Sequence, residues 1–371
     1  MKIVMLGIRG VPARYGGLET CGEEVGARLV ERGHEVICYC RRGSPDDGTP
    51  ECRGIRRIEL PRIKTKATDT YSHSFLAFWH ALIKEKPDVI LAFNPGIGTL
   101  CAIPKLFGCP VALNPDGFDW KRKKWGGFAK WFIHFNARVA SRLADQMIID
   151  AVSVRDYYAS HFRYRREPLY IPNGAPVETS ENPDIIKQYG LEKDGYFLFL
   201  SRFVPENSCE VIIKAFEGLK TDKKLFMGGG SEQDGAYAAS VIHSTKDPRI
   251  VFPGGIYDPA HVKELHCGCY ALLHGNQPGG TSLGLLKAMG YGTCCVTLNT
   301  PDNAYAVKNG SGVVYDLTPE SLRARLQELL DHPEAVAEYR RKAVERIKEE
   351  YLWEVVTDKY EKALKAIARS R

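Results

Sequence analysis

The stretch CYALLHGNQPGGTSLGLLKAMG, residues 269–290, carries the pattern that decides the fold: an apolar strand, a glycine-rich turn and a helix expected over 281–291. Glycines before a helix let an anion approach the unpaired N–H groups at the positive end of the helix dipole. The stretch therefore predicts a βα unit with a phosphate-binding turn. The residues of this turn are Gly279, Gly280, Thr281 and Ser282.

Apolar runs of the same kind recur along the chain, with helical patterns between them. They span 2–8, 34–40, 88–93, 111–114, 146–150 and 169–173 in the first half, and 196–202, 224–230, 249–255, 269–275 and 294–299 in the second. Continuous apolar runs of this length are typical of parallel strands buried on both faces, with helices as the connections. We therefore predict an α/β fold with two doubly wound, Rossmann-like domains.

A linker separates the two halves. The segment IPNGAPVETSENPD, residues 171–184, is rich in Pro, Asn, Gly and Ser, which is the composition of a connecting loop. We expect a first domain over 1–176, a second over 177–351 and a final helix over about 352–371. Apolar residues recur along this helix at helical spacing and form a stripe that must be buried: Leu352, Val355, Val356, Tyr360, Leu364 and Ile367.

Composition indicates a cytoplasmic globular protein. The chain has 371 residues, 44% hydrophobic and 26% charged, and its first apolar run stops at Arg9 without a cleavage site. No window approaches the roughly 18 uncharged apolar residues that a membrane span requires. The eleven cysteines lie mostly inside apolar segments without zinc-site spacing, so we expect buried, reduced thiols and no metal site.

The positive charge is concentrated in the first half. Residues 1–178 hold 27 Lys and Arg against 19 Asp and Glu, whereas residues 179–371 hold 24 against 26. Residues 120–135, WKRKKWGGFAKWFIHF, interleave six aromatic rings with five cations, and residues 162–166 add three arginines. Such a composition suits an anionic membrane surface. A buried helix with solvated cations is the alternative, and nucleic acid is not expected because no binding module is recognisable.

Chemistry is expected in the loops that follow the strands, because open parallel sheets bind ligands beyond the carboxyl ends of their strands. The first loop, residues 7–19, contains Gly16 and Gly17, which either approach a diphosphate or only form a turn. It is not a dinucleotide fingerprint, because Pro12 interrupts the glycine spacing. Asp116 follows the strand at 111–114 and could orient or deprotonate a hydroxyl, or else form an Asx turn before Gly117.

In the second half, Arg202 ends the strand at 196–202. Its guanidinium is suited to a bidentate grip on phosphate. Glycines at 228–230 and 254–255 end the next two strands and leave room for a flat base or a sugar.

Taken together, these residues resemble a bacterial glycosyltransferase of family 4, most closely the rhamnosyltransferase-like subgroup that builds surface polysaccharides. The matching stretches are GIRGVPARYGGLET (7–20), NPDGFDWKRKKW (114–125), IPNGA (171–175), SRFVPENS (201–208) and GGTSLGLLKAMG (279–290). The resemblance implies the GT-B fold, two facing Rossmann-like domains with a C-terminal helix that crosses back to the first. It also implies a donor nucleotide-diphosphate sugar held by the second domain and a glycan or lipid-linked glycan acceptor on the first.

The resemblance further implies a retaining transfer that needs neither a bound metal nor another cofactor. An arginine and helix N-termini can stabilise the leaving diphosphate where other folds use a divalent cation. It assigns catalytic roles to Asp116 and Arg202. The donor diphosphate residues it implies are Gly16, Gly17, Arg202, Gly279, Gly280, Thr281, Ser282 and Lys287, and those expected on the acceptor or sugar side are Arg14, Tyr15, Asn94, Asp119 and Trp120.

Lys287 departs from the family pattern. The family commonly has two glutamates eight positions apart here, the second on the ribose hydroxyls, whereas this chain has Gly279 and Lys287. Many members also have a lysine where this chain has Asn207. A lysine has three donors and no acceptor, so it cannot replace a carboxylate on a ribose. Either Lys287 supplies a phosphate charge missing at Asn207, or the donor site has decayed, or the lysine is merely exposed on a rotated helix.

Two rival functions follow from this departure. The first is a non-catalytic paralogue that binds nucleotides or glycans, and the second is a GT-B epimerase acting on the nucleotide sugar itself. Measurable turnover would exclude the non-catalytic paralogue. The identity of the product would separate a glycosyltransferase from an epimerase.

Overall fold

The structure of the protein, a computed structural model, describes residues 1–14, 16–43, 48–65, 68–121, 125–277 and 280–369. The chain forms two compact units. Unit 1 comprises Met1–Gly174 and Trp353–Arg371, and unit 2 comprises Ala175–Leu352.

Unit 1 contains an eight-stranded sheet in the order β3-β4-β2-β1-β5-β6-β7-β8, in which only β3 is antiparallel to its neighbour. The strands are β1 Lys2–Leu6, β2 Glu35–Arg41, β3 Glu51–Cys52, β4 Ile55–Leu60, β5 Val89–Phe93, β6 Val111–Asn114, β7 Gln146–Ile149 and β8 Leu169–Tyr170. The helices between them are α1 Gly17–Glu31, α2 Asp69–His80, α3 Ala102–Leu106, α4 Gly127–Leu143 and α5 Val152–His161.

The sheet of unit 1 is covered on both faces because its strands are apolar on both faces. Side chains alternate along β1, so that Val4 and Leu6 enter one hydrophobic cluster while Ile3 and Met5 enter the other. All four side chains are fully buried. This is the doubly wound arrangement that the continuous apolar runs predict.

Unit 2 contains a six-stranded sheet in the order β11-β10-β9-β12-β13-β14, and all of its pairs are parallel. The strands are β9 Tyr196–Leu200, β10 Lys224–Gly228, β11 Ile250–Gly254, β12 Ala271–His274, β13 Cys295–Leu298 and β14 Val313–Tyr315. The helices are α6 Cys209–Glu217, α7 Ala236–His243, α8 Pro259–Gly268, α9 Leu283–Gly290, α10 Pro301–Ala306, α11 Pro319–Asp331 and α12 Pro333–Arg346.

The last helix, α13 Trp353–Ala368, belongs to unit 1. It packs against α1 and buries Val356, Tyr360, Leu364 and Ile367, as its apolar stripe predicts. Gly174 permits this return of the chain, since a Cβ there would lie 2.4 Å from ring atoms of Trp353. The predicted fold class is therefore confirmed, with two doubly wound units and a C-terminal helix that crosses over to the first.

Three strands are missing from the predicted set. The edge pair β3 and β4 was not predicted because β4, IRRIEL, mixes charged residues into its apolar pattern. Strand β14 was not predicted because it is only three residues long. Helix α9 begins at Leu283, two residues later than expected, because Ser282 is its N-cap and accepts a hydrogen bond from the Leu285 N–H at 3.4 Å. The eleven cysteines, all within the described ranges, form no disulfide, and all but Cys52 and Cys267 are buried.

Candidate functional site

A pocket lies where the sheet of unit 2 changes direction. β9 continues along the chain to β10 on one side, whereas β12 continues to β13 on the other, so their carboxyl ends flank a crevice. About 370 Å³ of space lies between the lining atoms, including the open mouth of the pocket. Its polar and glycine lining comes from the strand ends and from α8 and α9: Ser201, Asn207, His266, His274, Gly275, Asn276, Ser282 and Gly284.

The loop after β9 presents Arg202 at this crevice. The buried Asn207 holds the loop in shape, because its amide donates to Ser201 Oγ and to the Arg202 carbonyl, both at 2.8 Å. The Arg202 side chain is exposed, and its guanidinium forms no hydrogen bond or ion pair within the described parts of the chain. Asn207 therefore positions the loop, and Arg202 is available to a ligand.

The glycines after β10 and β11 serve different purposes. Gly229 has a φ of 124°, and a Cβ there would lie 2.2 Å from the Ser201 carbonyl oxygen, so packing against the loop after β9 explains this glycine. Gly254 has a φ of 88° and open space around its Cβ position. Of the two, Gly254 is the glycine that leaves room for a ligand.

The turn before α9 is only partly within the described residues, because Gly279 lies outside them. Gly280 has a φ of 115°, which suits a residue without a side chain. The Ser282 hydroxyl accepts the Leu285 N–H as the helix cap, so this oxygen is already engaged. The first-turn N–H groups of α9 are the groups that a phosphate would meet at this turn.

Lys287 is half-buried rather than exposed on a rotated helix. Its ammonium forms no hydrogen bond or ion pair with any described residue, but it lies close enough to His266 to act on that ring. Burial, reinforced by the Lys287 charge, lowers the pKa of His266 to about 4. Burial also lowers the pKa of His274 to about 4, and its Nδ1 shares a hydrogen bond of 2.9 Å with Thr297 Oγ1. The pocket thus holds two neutral imidazoles that sequence reasoning did not identify.

In unit 1 the corresponding crevice lies between β1 and β5, whose connections leave in opposite directions. The two strand ends are so close that a Cβ at Gly7 would lie 2.1 Å from the Phe93 carbonyl oxygen. Two residues that are not glycine adopt left-handed backbone here, Asn94 with a φ of 84° and Asp116 with a φ of 59°. Such strained strand ends cluster at functional sites.

The C-terminal helix α13 is connected to the turn that carries Asp116 through two hydrogen bonds. The Asp116 N–H donates to Asn114 Oδ1 at 2.9 Å, and Asn114 Nδ2 donates to the Tyr360 hydroxyl at 3.0 Å. Asn114 and Tyr360 are fully buried, and Cys21 donates to the same hydroxyl at 3.5 Å. Helix α13 therefore fixes the orientation of the turn.

A second polar pair at this edge was also missed. Asp150 follows β7 and is buried, and Asn173 Nδ2, after β8, donates to its Oδ2 at 3.1 Å. Both residues directly follow apolar strand runs, which is the signal by which they could have been found. Asn94 uses its side chain locally, since its Oδ1 accepts the Gly96 N–H at 2.8 Å.

Asp119 and Trp120 are buried, so neither presents its side chain to solvent. Asp119 Oδ2 accepts the Trp125 indole N–H at 3.1 Å, and the Trp120 ring packs against Phe118 and His134. Both residues are thus engaged in packing, and a part on the acceptor side would be indirect.

The first loop is held in place by glutamates of α1. Glu19 accepts the Arg9 N–H at 3.2 Å, and Glu23 accepts the Ala13 N–H at 2.5 Å. Gly16 is exposed with a φ of 116°, and α1 begins at the next residue, Gly17. Glu19 therefore shares this helix N-terminus with any anion that binds. Arg14 is exposed beside the loop, and Tyr15 lies outside the described residues.

Comparisons with known proteins match both units. Residues 16–174 match the family model described as a glycosyl transferase 4-like domain, and residues 181–350 match the one described as glycosyl transferases group 1. A search of curated protein sequences found no match.

Three solved structures illustrate the likeness in fold. Sucrose-phosphate synthase of Thermosynechococcus elongatus has a TM-score of 0.83 at 16% identity, covering 100% of both chains. HepE of Anabaena, in complex with UDP and glucose, has a TM-score of 0.78 at 15% identity, covering 99% of this chain and 100% of its own. WaaG, a glycosyltransferase involved in lipopolysaccharide biosynthesis, has a TM-score of 0.71 at 17% identity, covering 99% of both chains.

Proposed function

From the premise that this chain is a glycosyltransferase with the GT-B fold, we propose that it moves a hexose, such as rhamnose, from a nucleotide-diphosphate sugar to a glycan or lipid-linked glycan hydroxyl. The observation that carries the proposal is the pocket at the β9/β12 crevice, together with the exposed Arg202 that follows its lining residue Ser201. HepE was solved with UDP and glucose, and WaaG acts in lipopolysaccharide biosynthesis, which supports a nucleotide-sugar donor and a role in surface polysaccharide synthesis.

The reaction we propose is retaining and uses no metal. The bond between the anomeric carbon and the diphosphate oxygen breaks, and the bonding pair leaves with the diphosphate. The acceptor hydroxyl forms the new bond, and its proton passes to the Asp116 carboxylate. Arg202 and the N-terminal N–H groups of α9 would stabilise the charge on the departing diphosphate, because preorganised donors are most effective where charge develops. Asp116 would orient the reacting hydroxyl.

A panel of UDP, TDP, GDP and their sugars tests the donor claim. Because a ligand that binds only the folded state stabilises it by mass action, we expect one base to raise the unfolding temperature of the full chain, and its sugar to be turned over. No shift with any nucleotide would favour the non-catalytic rival. A shift with conversion of the nucleotide sugar but no transfer would favour the epimerase.

Exposed aromatic residues on one face of α4 in unit 1 support a lipid-linked acceptor. Helix α4 buries Ile133 and Ala137 on one face and exposes Phe128, Trp131 and Phe135 on the other, with 78%, 59% and 43% of each residue accessible. Exposed aromatic rings on one helix face suit the headgroup level of a bilayer. This arrangement differs from a fully buried helix.

The apolar surface continues from α4 onto α2 and α3. Tyr71 of α2 contacts Phe132 of α4 with ring centroids 5.6 Å apart, and Trp79 contacts Phe107 at 5.8 Å. Exposed apolar residues on this continuation are Phe75, Leu76, Leu106 and Phe107. In residues 162–166 the exposed Arg163 adds charge, whereas Arg165 pairs with Asp145 at 2.8 Å. Within the described ranges, no helix combines the length and apolarity needed to cross a bilayer.

Replacing Trp131 by glutamate should abolish binding to anionic vesicles at low salt, since it places a like charge at the centre of this face. Sedimentation with phosphatidylserine-containing vesicles measures the effect, and high salt should weaken wild-type binding by screening the cations. The matched control is Tyr257→Glu, which alters an 85% exposed aromatic residue of unit 2. Equal binding by both variants and the wild type would contradict a membrane site on α4.

A further inference from the structure

His266 is a buried residue, and the ring nitrogen Nδ1 lacks a hydrogen-bond partner among the described residues. The residue is 5% exposed and lies near the end of α8, where it lines the pocket at the β9/β12 crevice. Its Nδ1 is buried and has no hydrogen-bond partner in the part of the chain that the structure describes. A buried polar atom without a partner costs free energy, so a partner supplied by a ligand would be favoured.

The surroundings of His266 define what that partner can be. The ring is neutral at physiological pH, because burial and the nearby Lys287 both disfavour its protonated form. A neutral imidazole has one nitrogen that accepts and one that donates. A hydroxyl does both, and so matches either tautomer. A phosphate oxygen only accepts, and its negative charge would instead favour the protonated ring.

Among the described residues that line the pocket there is no carboxylate for this task. Its lining residues are apolar, glycine, serine, asparagine and histidine. Sugar rings present neighbouring hydroxyls that need an acceptor as well as a donor. In this pocket the neutral ring of His266 can provide the acceptor. Lys287 lies on α9, three residues after the pocket-lining Gly284 and so on the same side of the helix, and its ammonium can only donate.

We propose that His266 and Lys287 together recognise a vicinal diol of the nucleotide sugar, with the imidazole accepting from one hydroxyl and the ammonium donating to its neighbour. The inference rests on the proposed function and deepens it, because it assigns a specificity-determining role to a histidine that no comparison identifies. Both the ribose and the transferred hexose carry such a diol, and the experiment distinguishes them.

The test is calorimetry on the full chain with UDP, GDP, their 2′-deoxy and 3′-deoxy forms, and UDP-glucose. We expect loss of one ribose hydroxyl to weaken binding to the wild type about fivefold to tenfold, as for one neutral hydrogen bond. In His266→Leu, UDP or GDP should bind more weakly by a similar factor, and the deoxy forms should lose nothing more. His266→Gln, which retains an acceptor and a donor, should recover part of the loss. If the diol belongs to the hexose, the same coupling appears between UDP-glucose and UDP instead.

Controls separate recognition from folding. His266→Leu removes a buried atom without a partner, so its unfolding temperature should be unchanged or higher. If His266→Leu fails to fold, the affinities of the wild type and of His266→Gln for the deoxy nucleotides still show whether His266 recognises the diol. Lys287→Met should weaken binding severalfold, and His243→Leu, an exposed histidine of α7, should change nothing. Equal deoxy penalties in the wild type and His266→Leu, together with an equal difference in affinity between UDP-glucose and UDP in the two proteins, would overturn the inference. Nucleotide binding, and thus the proposed function, would remain intact.

Discussion

Replacing Arg202 by alanine should lower the turnover number about 100-fold to 1000-fold, the effect of removing one preorganised donor to a developing anion. The guanidinium is exposed at the end of β9 and forms no hydrogen bond or ion pair with the described part of the chain, so no structural partner is lost. The unfolding temperature should therefore stay constant. Steady-state kinetics with the donor sugar that the nucleotide panel identifies, together with thermal unfolding, measure both quantities.

The conservative variant sharpens this test. Arg202→Lys keeps the charge but loses the fork that grips two phosphate oxygens, so an intermediate rate is expected. Arg325→Ala is the matched control, since it removes an exposed arginine that pairs with its helical neighbour Glu328 at 2.9 Å. If Arg202→Ala retains normal turnover, Arg202 does not contribute to the reaction.

Replacing Asp116 by asparagine should reduce the turnover number about 100-fold to 10,000-fold, the range for a group that assists proton transfer. Asparagine keeps the size of the side chain and tolerates the left-handed backbone at this position, and the hydrogen bond to Asn114 comes from the backbone N–H. The fold of the turn should thus survive the change.

The unfolding temperature of Asp116→Asn should accordingly match that of the wild type. The companion variant Asp116→Ala should lose stability as well as activity, because alanine pays roughly 1 kcal/mol more for this backbone conformation. If Asp116→Asn retains full turnover, the residue is only an Asx-turn aspartate.

The strands were predictable because burial on both faces leaves a continuous apolar run, which few other structures produce. The same logic fails for β4, whose arginines and glutamate interrupt the run at a sheet edge. Helix α13 was predictable from its stripe, since Val356, Tyr360 and Leu364 recur at helical spacing.

Residues of the candidate site could be proposed from the sequence only where they closely follow a strand, and their roles stay predictions. Arg202 and Asp116 meet that condition. The alternation of rings and cations in residues 120–135 could not show which rings face the core, so Trp120 was assigned to a surface from which it is absent. His266 could not be recognised because its neighbour Lys287 lies on another helix, and only the fold brings the two together.

The return of α13 to unit 1 has a consequence for how the protein is made. Residues 175–352 are contiguous, so unit 2 is complete while the ribosome still has α13 to add, and domains generally fold as units during synthesis. Unit 1 begins first and is finished last. Until Tyr360 arrives, the side-chain amide of Asn114 lacks the hydroxyl to which it donates in the folded protein. A chain that ends prematurely within α13 would therefore contain a complete unit 2 and an unfinished unit 1.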